Sequence, residues 1–421
     1  MNTGTDLTVA SGIDRVPPYI GGRWWRELLL GPAYWWHKVL IERSRRWDEG
    51  RQRAYQFRKV LPLFRRYGDT DVRSKAHYRQ HQARYNRFCI PGPTKVMRTG
   101  GTAGEPFVFY MDTFARRQKE RAYLFDIWAA AGYRPFDLRV VYRGNIGSDL
   151  ISYSWIENAY VISPSQLTPQ NSGQVVEFLK GTRPFFLHVY PSSLFSFIEL
   201  VGEKNFRELP IRGVLAGSEV FPTAQRNAFE EKFDLPVAHW YGHSEYAVLA
   251  KQCRECDGFH FYPTYGYPEL VPDETSSQRI VATSFNAIGT RFVRYDTGDL
   301  ATPADGRCSA PFFSVAAVQG REQEYFIDRA GQRRAFGPYL FGIHDEFWDR
   351  VSAIQFLQQQ PGRLDVRLTL KSSGHRVWLE AYLQQRFAVC DLGFEYVSEI
   401  PKTKAGKHRY YLSLLKDPES T

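Results

Sequence analysis

The sequence predicts an α/β fold. It would comprise a large layered α/β N-terminal domain carrying a β-rich subdomain, followed by a small α+β C-terminal domain. Two observations predict this. Between residues 138 and 239 short apolar runs alternate with helix-length amphipathic segments, the pattern of a mostly parallel sheet covered by helices. From residue 246 the runs become short, β-rich and bounded by turn residues, and beyond residue 320 helix and strand signals return together. The 421 residues suffice for two or three domains with substantial cores, and 43% hydrophobic with 15% aromatic content describes a globular chain.

Residues 1–18 read as a polar lead ending in Pro17-Pro18. Trp24 to Arg87 is helical in pattern, and with the lead it forms an N-terminal helical, basic region over 1–90. Residues 91–320 form the α/β core, with its β-rich subdomain over 246–320, and 321–421 the C-terminal domain. Within the core, Phe107–Tyr110 reads as a strand and Thr113–Gly132 as a helix with Asp112 or Thr113 as its cap. Strands follow at Leu138–Tyr142, Ala159–Ile162, Phe185–Val189, Arg212–Ala216 and Pro236–His239. Helices lie between them at Thr168–Gly181, capped by Thr168, at Ser192–Gly202 and at Thr223–Phe233. The C-terminal domain shows a helix at Ile343–Val351 and strands at Ala353–Gln358 and Leu364–Leu370.

Charge is concentrated. Residues 51–87 hold eleven Lys/Arg against Asp69 and Asp71, nine of the net +10. Such a segment suits an anionic partner, or a pair of helices with solvated basic faces. The interleaved Tyr55, Leu61, Leu63, Phe64, Tyr78 and Tyr85 favour the helices, and without a nucleic-acid motif no nucleic-acid partner is expected. No apolar run reaches the roughly 18 residues that cross a bilayer. No secretory leader pattern is present, and five scattered cysteines are no disulfide framework, so a cytoplasmic setting is expected.

The stretch Thr99-Gly-Gly-Thr-Ala-Gly-Glu-Pro106 places three glycines and two threonines in eight residues. Glycines let successive N–H groups converge on one point and threonine hydroxyls add donors, which suits a polyphosphate; the same run also serves as an ordinary turn. It is not the P-loop pattern, and Glu105 stands where a phosphate lysine would be expected. Further along, Gly217-Ser-Glu219 and Tyr241-Gly-His-Ser-Glu245 fall at the carboxyl ends of predicted strands, where ligands bind in layered α/β folds. Tyr295-Asp-Thr-Gly-Asp299, Gly320-Arg321 and Pro401-Lys-Thr-Lys-Ala-Gly-Lys407 complete the series.

In this order, the six motifs resemble the adenylate-forming enzymes: acyl-CoA synthetases, luciferases and peptide-synthetase adenylation domains. Tyr190-Pro-Ser-Ser193 and Tyr265-Gly-Tyr-Pro-Glu269 make the chain most similar to the compact phenylacetate–coenzyme A ligase and capsule-biosynthesis branch. The resemblance runs from about residue 60 to the C-terminus. It implies that Thr99, Gly100, Gly101, Thr102 and Gly104 hold the ATP phosphates, and that Gly217, Ser218 and Glu219 line the adenine pocket. It implies further that Tyr241 borders adenine and that Gly242, His243 and Ser244 after it belong to the nucleotide site. Glu245 corresponds to the magnesium-associated carboxylate, Asp299 to the ribose acceptor, Arg321 to the arginine before the hinge, and Lys407 to the catalytic lysine of a mobile C-terminal domain. Asp296 stands where the family commonly has arginine.

The activity so implied is ATP-dependent, AMP-forming activation of a small carboxylic acid as an acyl-adenylate, with Mg²⁺, and transfer to coenzyme A or another acceptor. Negative charge builds on phosphate oxygens in such a step, so fixed positive charge and N–H donors are the residues the chemistry needs. An adenylyltransferase, an amide- or ester-forming ligase, and a silent nucleotide-binding scaffold are the alternatives. Compact relatives are often homodimers. The stretch Tyr142–Tyr160 and the loops at Ser192, His243 and Tyr246 are expected to wall the acid pocket. Separately, Cys253-x-x-Cys256 with His260 and Cys308 offers the four Cys/His ligands of a structural Zn²⁺ site, or incidental cysteines.

Overall fold

The helical lead divides into α1 (Arg23–Glu27), α2 (Gly31–Ser44), α3 (Glu49–Tyr67), α4 (Lys75–Gln80) and α5 (Gln82–Tyr85). The computed structural model describes residues 23–86, 94–98, 108–112, 114–143, 149–164, 166–272, 278–285, 289–304, 308, 312–321, 325–331, 333–336, 339, 347, 350–401 and 408–415. Asp48 starts α3 by accepting the Arg51 N–H at 2.7 Å, and Ser74 starts α4 by accepting that of His77 at 3.3 Å. Arg51 and Arg53 stand in solvent, as a solvated basic face requires, whereas Arg73 is buried. Its guanidinium donates to the carbonyls of Val293 at 3.0 Å and Tyr67 at 2.6 Å. That arginine stitches the helical lead to the core.

Strands β1 (Thr94–Arg98) and β2 (Val108–Asp112) pair antiparallel, with Arg98 opposite Val108. The glycine-rich stretch that joins them, with Thr99, Gly100, Gly101, Thr102 and Gly104, lies outside the described residues. After α6 (Phe114–Trp128) come β3 (Arg139–Tyr142), β4 (Ile151–Ser154), β5 (Ala159–Ile162), α7 (Ser172–Lys180), β6 (Phe185–Val189), α8 (Pro191–Val201) and α9 (Glu203–Glu208). Then follow β7 (Ile211–Gly217), α10 (Thr223–Phe233) and β8 (Val237–Gly242). Helix α7 begins four residues beyond Thr168, the expected cap. Thr168 instead opens a turn in which its N–H donates to the Asn171 side chain at 2.8 Å.

Strands β5, β3, β6, β7 and β8 are parallel neighbours. Successive side chains of β6 serve opposite layers. Phe185, Leu187 and Val189 pack with Leu194 and Phe197 of α8 and Val176 of α7, while Phe186 packs with Trp128 and Tyr123 of α6 and Tyr34 of α2. Burial on both faces explains why these strands read as continuous apolar runs.

The β-rich stretch comprises β9 (Leu249–Gln252), β10 (Phe259–Phe261), β11 (Gly266–Pro272), β12 (Gln278–Ser284), β13 (Tyr295–Pro303) and β14 (Ser314–Arg321). It prolongs the same sheet, since β9 pairs antiparallel with β8. The order is β11-β12-β13-β14-β10-β9-β8-β7-β6-β3-β5-β4. The strands of the β-rich stretch thus pair into the core sheet.

Beyond it, β15 (Tyr325–Ile327) and β16 (Arg333–Ala335) form a hairpin. Strands β17 (Val351–Gln360), β18 (Arg363–Leu370), β19 (Asp391–Tyr396) and β20 (Tyr411–Ser413) form a second sheet ordered β19-β18-β17-β20. Helix α11 (Arg376–Arg386) covers it, and Phe326, Phe356, Leu379 and Phe387 give this module its own apolar core. The helix expected at Ile343–Val351 falls mostly outside the described residues, and Val351 itself opens β17. Among the described residues no helix is long and apolar enough to cross a membrane.

Candidate active site

Strand β8 runs through Tyr241-Gly242, so its motif begins in the sheet and leaves it at His243. The Tyr241 hydroxyl donates to Asp299 Oδ2 at 2.7 Å. Asp299 sits in β13 opposite Arg321 of β14, an arginine whose backbone alone is described. The intervening turn is built locally. Gly298 adopts φ 71°, its N–H donates to Asp296 Oδ1 at 2.9 Å, and the Asp299 N–H donates to Thr297 Oγ1 at 3.1 Å. Asp296 is thus a turn residue, also paired with Arg279 at 3.1 Å.

Glu245 is buried beside this pair, and Tyr295 donates to its Oε1 at 2.6 Å. His243 Nδ1 lies 3.0 Å from Oε2, and Lys75 Nζ reaches Oε1 at 3.4 Å from α4. Burial alone would raise this carboxyl; His243, Lys75 and Tyr295 outweigh it and hold Glu245 well below the usual carboxylate range. Glu245 is thus a buried anion with three partners around it. Ser244 lies in the exposed turn between His243 and Glu245.

Gly217 ends β7 with no room for a side chain, since a Cβ there would lie 2.4 Å from Cζ2 of Trp240. Ser218 follows at φ 67°. Glu219 turns away from Asp299 to the start of α8, where its carboxylate accepts the Ser192 N–H at 3.0 Å and the Ser192 hydroxyl at 3.1 Å. The carboxylate also accepts the His408 N–H at 2.8 Å, and His408 Nε2 bonds the Ile354 carbonyl at 2.8 Å. The residue after Lys407 is thereby fastened to the core. Lys407 itself lies outside the described residues.

Sequence reading missed two of these participants. Lys75 belongs to the basic segment and carries no motif; only the fold brings it to Glu245. His408 was hidden behind the lysine before it.

The four metal-type residues come together at the β9–β10 turn. The ligand atoms of Cys253, Cys256, His260 and Cys308 all lie within 4.8 Å of one another. Cys253 Sγ is 3.7 Å from Cys308 Sγ, and Cys256 Sγ is 3.4 Å from His260 Nε2. Zinc–sulfur bonds near 2.3 Å arranged tetrahedrally set sulfurs about 3.8 Å apart, so the donor set has the size of a zinc site.

No protein-family model matches the chain, and no curated protein matches its sequence. Solved structures do match in shape. A 2-hydroxyisobutyryl-CoA ligase in the postadenylation state, in complex with R3-HIB-AMP, superposes with TM-score 0.63 at 16% identity over 96% of this chain and 95% of that one. The same ligase with 2-HIB-AMP gives TM-score 0.59 at 16% identity, over 97% and 95%. The chain therefore has the fold of the adenylate-forming CoA ligases.

Proposed function

We propose that the chain is an ATP-dependent, AMP-forming carboxylate ligase of the phenylacetate–coenzyme A ligase type, acting in the cytoplasm with coenzyme A as its acceptor. The observation that carries this reading is one corner of the sheet. There Tyr241 holds Asp299 at 2.7 Å and Tyr295 holds Glu245 at 2.6 Å, both carboxylates lying close to the Tyr241 ring. In this reading Asp299 accepts the ribose hydroxyls and the Gly217–Glu219 turn backs the adenine. Tyr241 fixes the Asp299 carboxylate so that no reorientation is needed when nucleotide arrives. The glycine-rich stretch around Thr99–Gly104, Arg321 and Lys407 supply donors and positive charge for the phosphates. The module bearing Lys407 exchanges position for the second half-reaction.

Glu245 supplies hard carboxylate oxygens of the kind Mg²⁺ takes. With one carboxylate in the cluster, these residues fit a Mg²⁺ that arrives with the nucleotide phosphates, Lys75 being the neighbour that gives way. When bound, the ion would neutralise charge developing on the phosphates. The Cys253, Cys256, His260 and Cys308 cluster is proposed to hold a structural Zn²⁺ that clamps the β9–β10 turn to Cys308, between β13 and β14.

ATP–pyrophosphate exchange with aryl, fatty, amino and uronic acids tests the reading. Exchange that requires one acid class and collapses in Lys407→Ala supports it. Absence of ATP binding sinks it. AMP release driven by an amine or alcohol, and not by coenzyme A, would reassign the acceptor.

A further inference from the structure

Arg143 follows Tyr142 at the carboxyl end of β3. Its guanidinium sits 5.4 Å from the centre of the Tyr190 ring at the end of β6. Among the described residues no carboxylate pairs with it. Besides desolvation, Tyr190, the like charge of Arg139 and Tyr246 act on it. Desolvation lowers its pKa, which is the mark of a cation partly withdrawn from water without a counter-charge.

Deeper on the same face, Arg139 is served differently. It pairs with Glu157 at 3.1 Å, and its Nη1–H donates to His188 Nδ1 at 3.1 Å. A histidine accepting at Nδ1 carries its proton on Nε2. Burial, with Arg143 and Arg139 near by, holds His188 well below its usual pKa, so the ring is neutral. His188 is 4% exposed, and among the described residues its Nε2 has no hydrogen-bond partner. The buried Trp128 Nε1, on a ring 5.1 Å from that of His188, has none among them either. Register places these groups together. Val141 lies opposite His188, so the side chains of 139, 141 and 143 share a face with those of 186, 188 and 190.

The face thus ends in one uncompensated positive charge and two buried N–H donors without acceptors, at the strand ends where the acid pocket is expected. We propose that Arg143 and His188 form a subsite for a second, non-reacting anionic group on the acid that is activated, a carboxylate or a phosphate. The choice of a non-reacting group follows from the chemistry and rests on the adenylation reading. The reacting carboxylate loses its negative charge on becoming an acyl phosphate. A guanidinium bonded to that group would hold the ground state more tightly than the transition state and slow the step. An anion that keeps its charge throughout can be gripped without that cost, and a planar guanidinium suits it. The substrate class is then a dicarboxylic acid or an acid bearing a phosphate-type group.

Calorimetric titration of the nucleotide-free protein with succinate, glutarate and 3-phosphonopropionate, against butyrate and valerate, tests the subsite. Binding of at least one dianion on the order of 10- to 100-fold tighter than its monoacid counterpart is expected. That preference should vanish in Arg143→Met and survive in part in Arg143→Lys, which keeps the charge and serves as the folded control. The phosphonate and dicarboxylate arms separate the two anion types. Equal affinity for mono- and dianions, or a dianion affinity unchanged in Arg143→Met, overturns the proposal. The same acids in ATP–pyrophosphate exchange separate the two readings. Arg143-dependent binding with no exchange sustains the subsite and counts against adenylation. Exchange with a monoacid that ignores Arg143 does the reverse.

Discussion

The Glu219 carboxylate accepts the backbone N–H of His408 at 2.8 Å, joining the end of β7 to the segment that follows Lys407. The same carboxylate holds the first turn of α8 through Ser192, so one side chain ties a core helix to the C-terminal module. In Glu219→Ala the His408 N–H loses a charged acceptor. Its amide hydrogen exchange should quicken by about tenfold or more, the equivalent of one charge-assisted bond. Glu219→Gln keeps an acceptor oxygen and should fall between. Unchanged exchange at His408 in both variants would show that the module is held elsewhere.

Gly217→Ala should destabilise the protein by about 1–3 kcal/mol, because the added methyl meets the Trp240 ring. Pairing it with Trp240→Leu should recover part of that loss, since the leucine vacates the space the methyl needs. A double variant no more stable than the sum of the two single losses would place the strain somewhere other than this contact. Denaturant midpoints for the four proteins decide it.

The cysteine cluster carries a prediction about composition. Protein prepared without chelator should contain about one zinc per chain by elemental analysis, and Cys256→Ser should lower that content. Stripping the metal should drop the unfolding temperature, because the ion binds the folded turn and not the open chain. Protein prepared without chelator that contains no zinc, and whose Cys253, Cys256 and Cys308 all titrate freely with a thiol reagent, would rule the site out.

Glu157 bears on acid stability. Burial pushes its carboxyl up, but Arg121 and Arg139 outweigh that and hold it below the ordinary value of 4.5. A carboxyl depressed in the folded state contributes stability above its unfolded pKa, and that contribution is lost as pH falls through the folded pKa. The unfolding temperature of the wild type should therefore fall on acidification below about pH 4.5, and less steeply in Glu157→Gln. Parallel slopes for the two proteins would mean that this ion cluster contributes nothing to the pH response.

Particular residues show what the sequence could and could not disclose. Phe185–Val189 and Thr223–Phe233 were legible to the residue, one as an apolar run buried on both faces, the other as a helix following Pro222. Thr168 misled because Thr-Pro is a common helix opening, and only the Asn171 side chain shows that the chain turns once more first. The continuity of the β-rich stretch with the core sheet depends on β9 pairing with β8, a register that no local pattern encodes. Motif spacing singles out Tyr241, Glu245 and Asp299, and the structure brings these three together. No motif singles out Lys75, Arg143 or His188, because each meets its neighbours only through other elements.

The long reach of these contacts also has a meaning in time. The Tyr78 hydroxyl bonds the carbonyl of Val293, 215 positions later, and His408 bonds Glu219 across 189. Ribosomal synthesis proceeds at about 5–20 residues per second. For tens of seconds, the basic helices of the lead therefore emerge while the strands that receive them do not yet exist. During that interval Arg73 and Lys75 face solvent, bereft of Val293 and Glu245. The newborn chain is, for that while, a cationic ligand in search of a partner, and a chaperone that shields the lead until Val293 has emerged would raise the yield of folded protein.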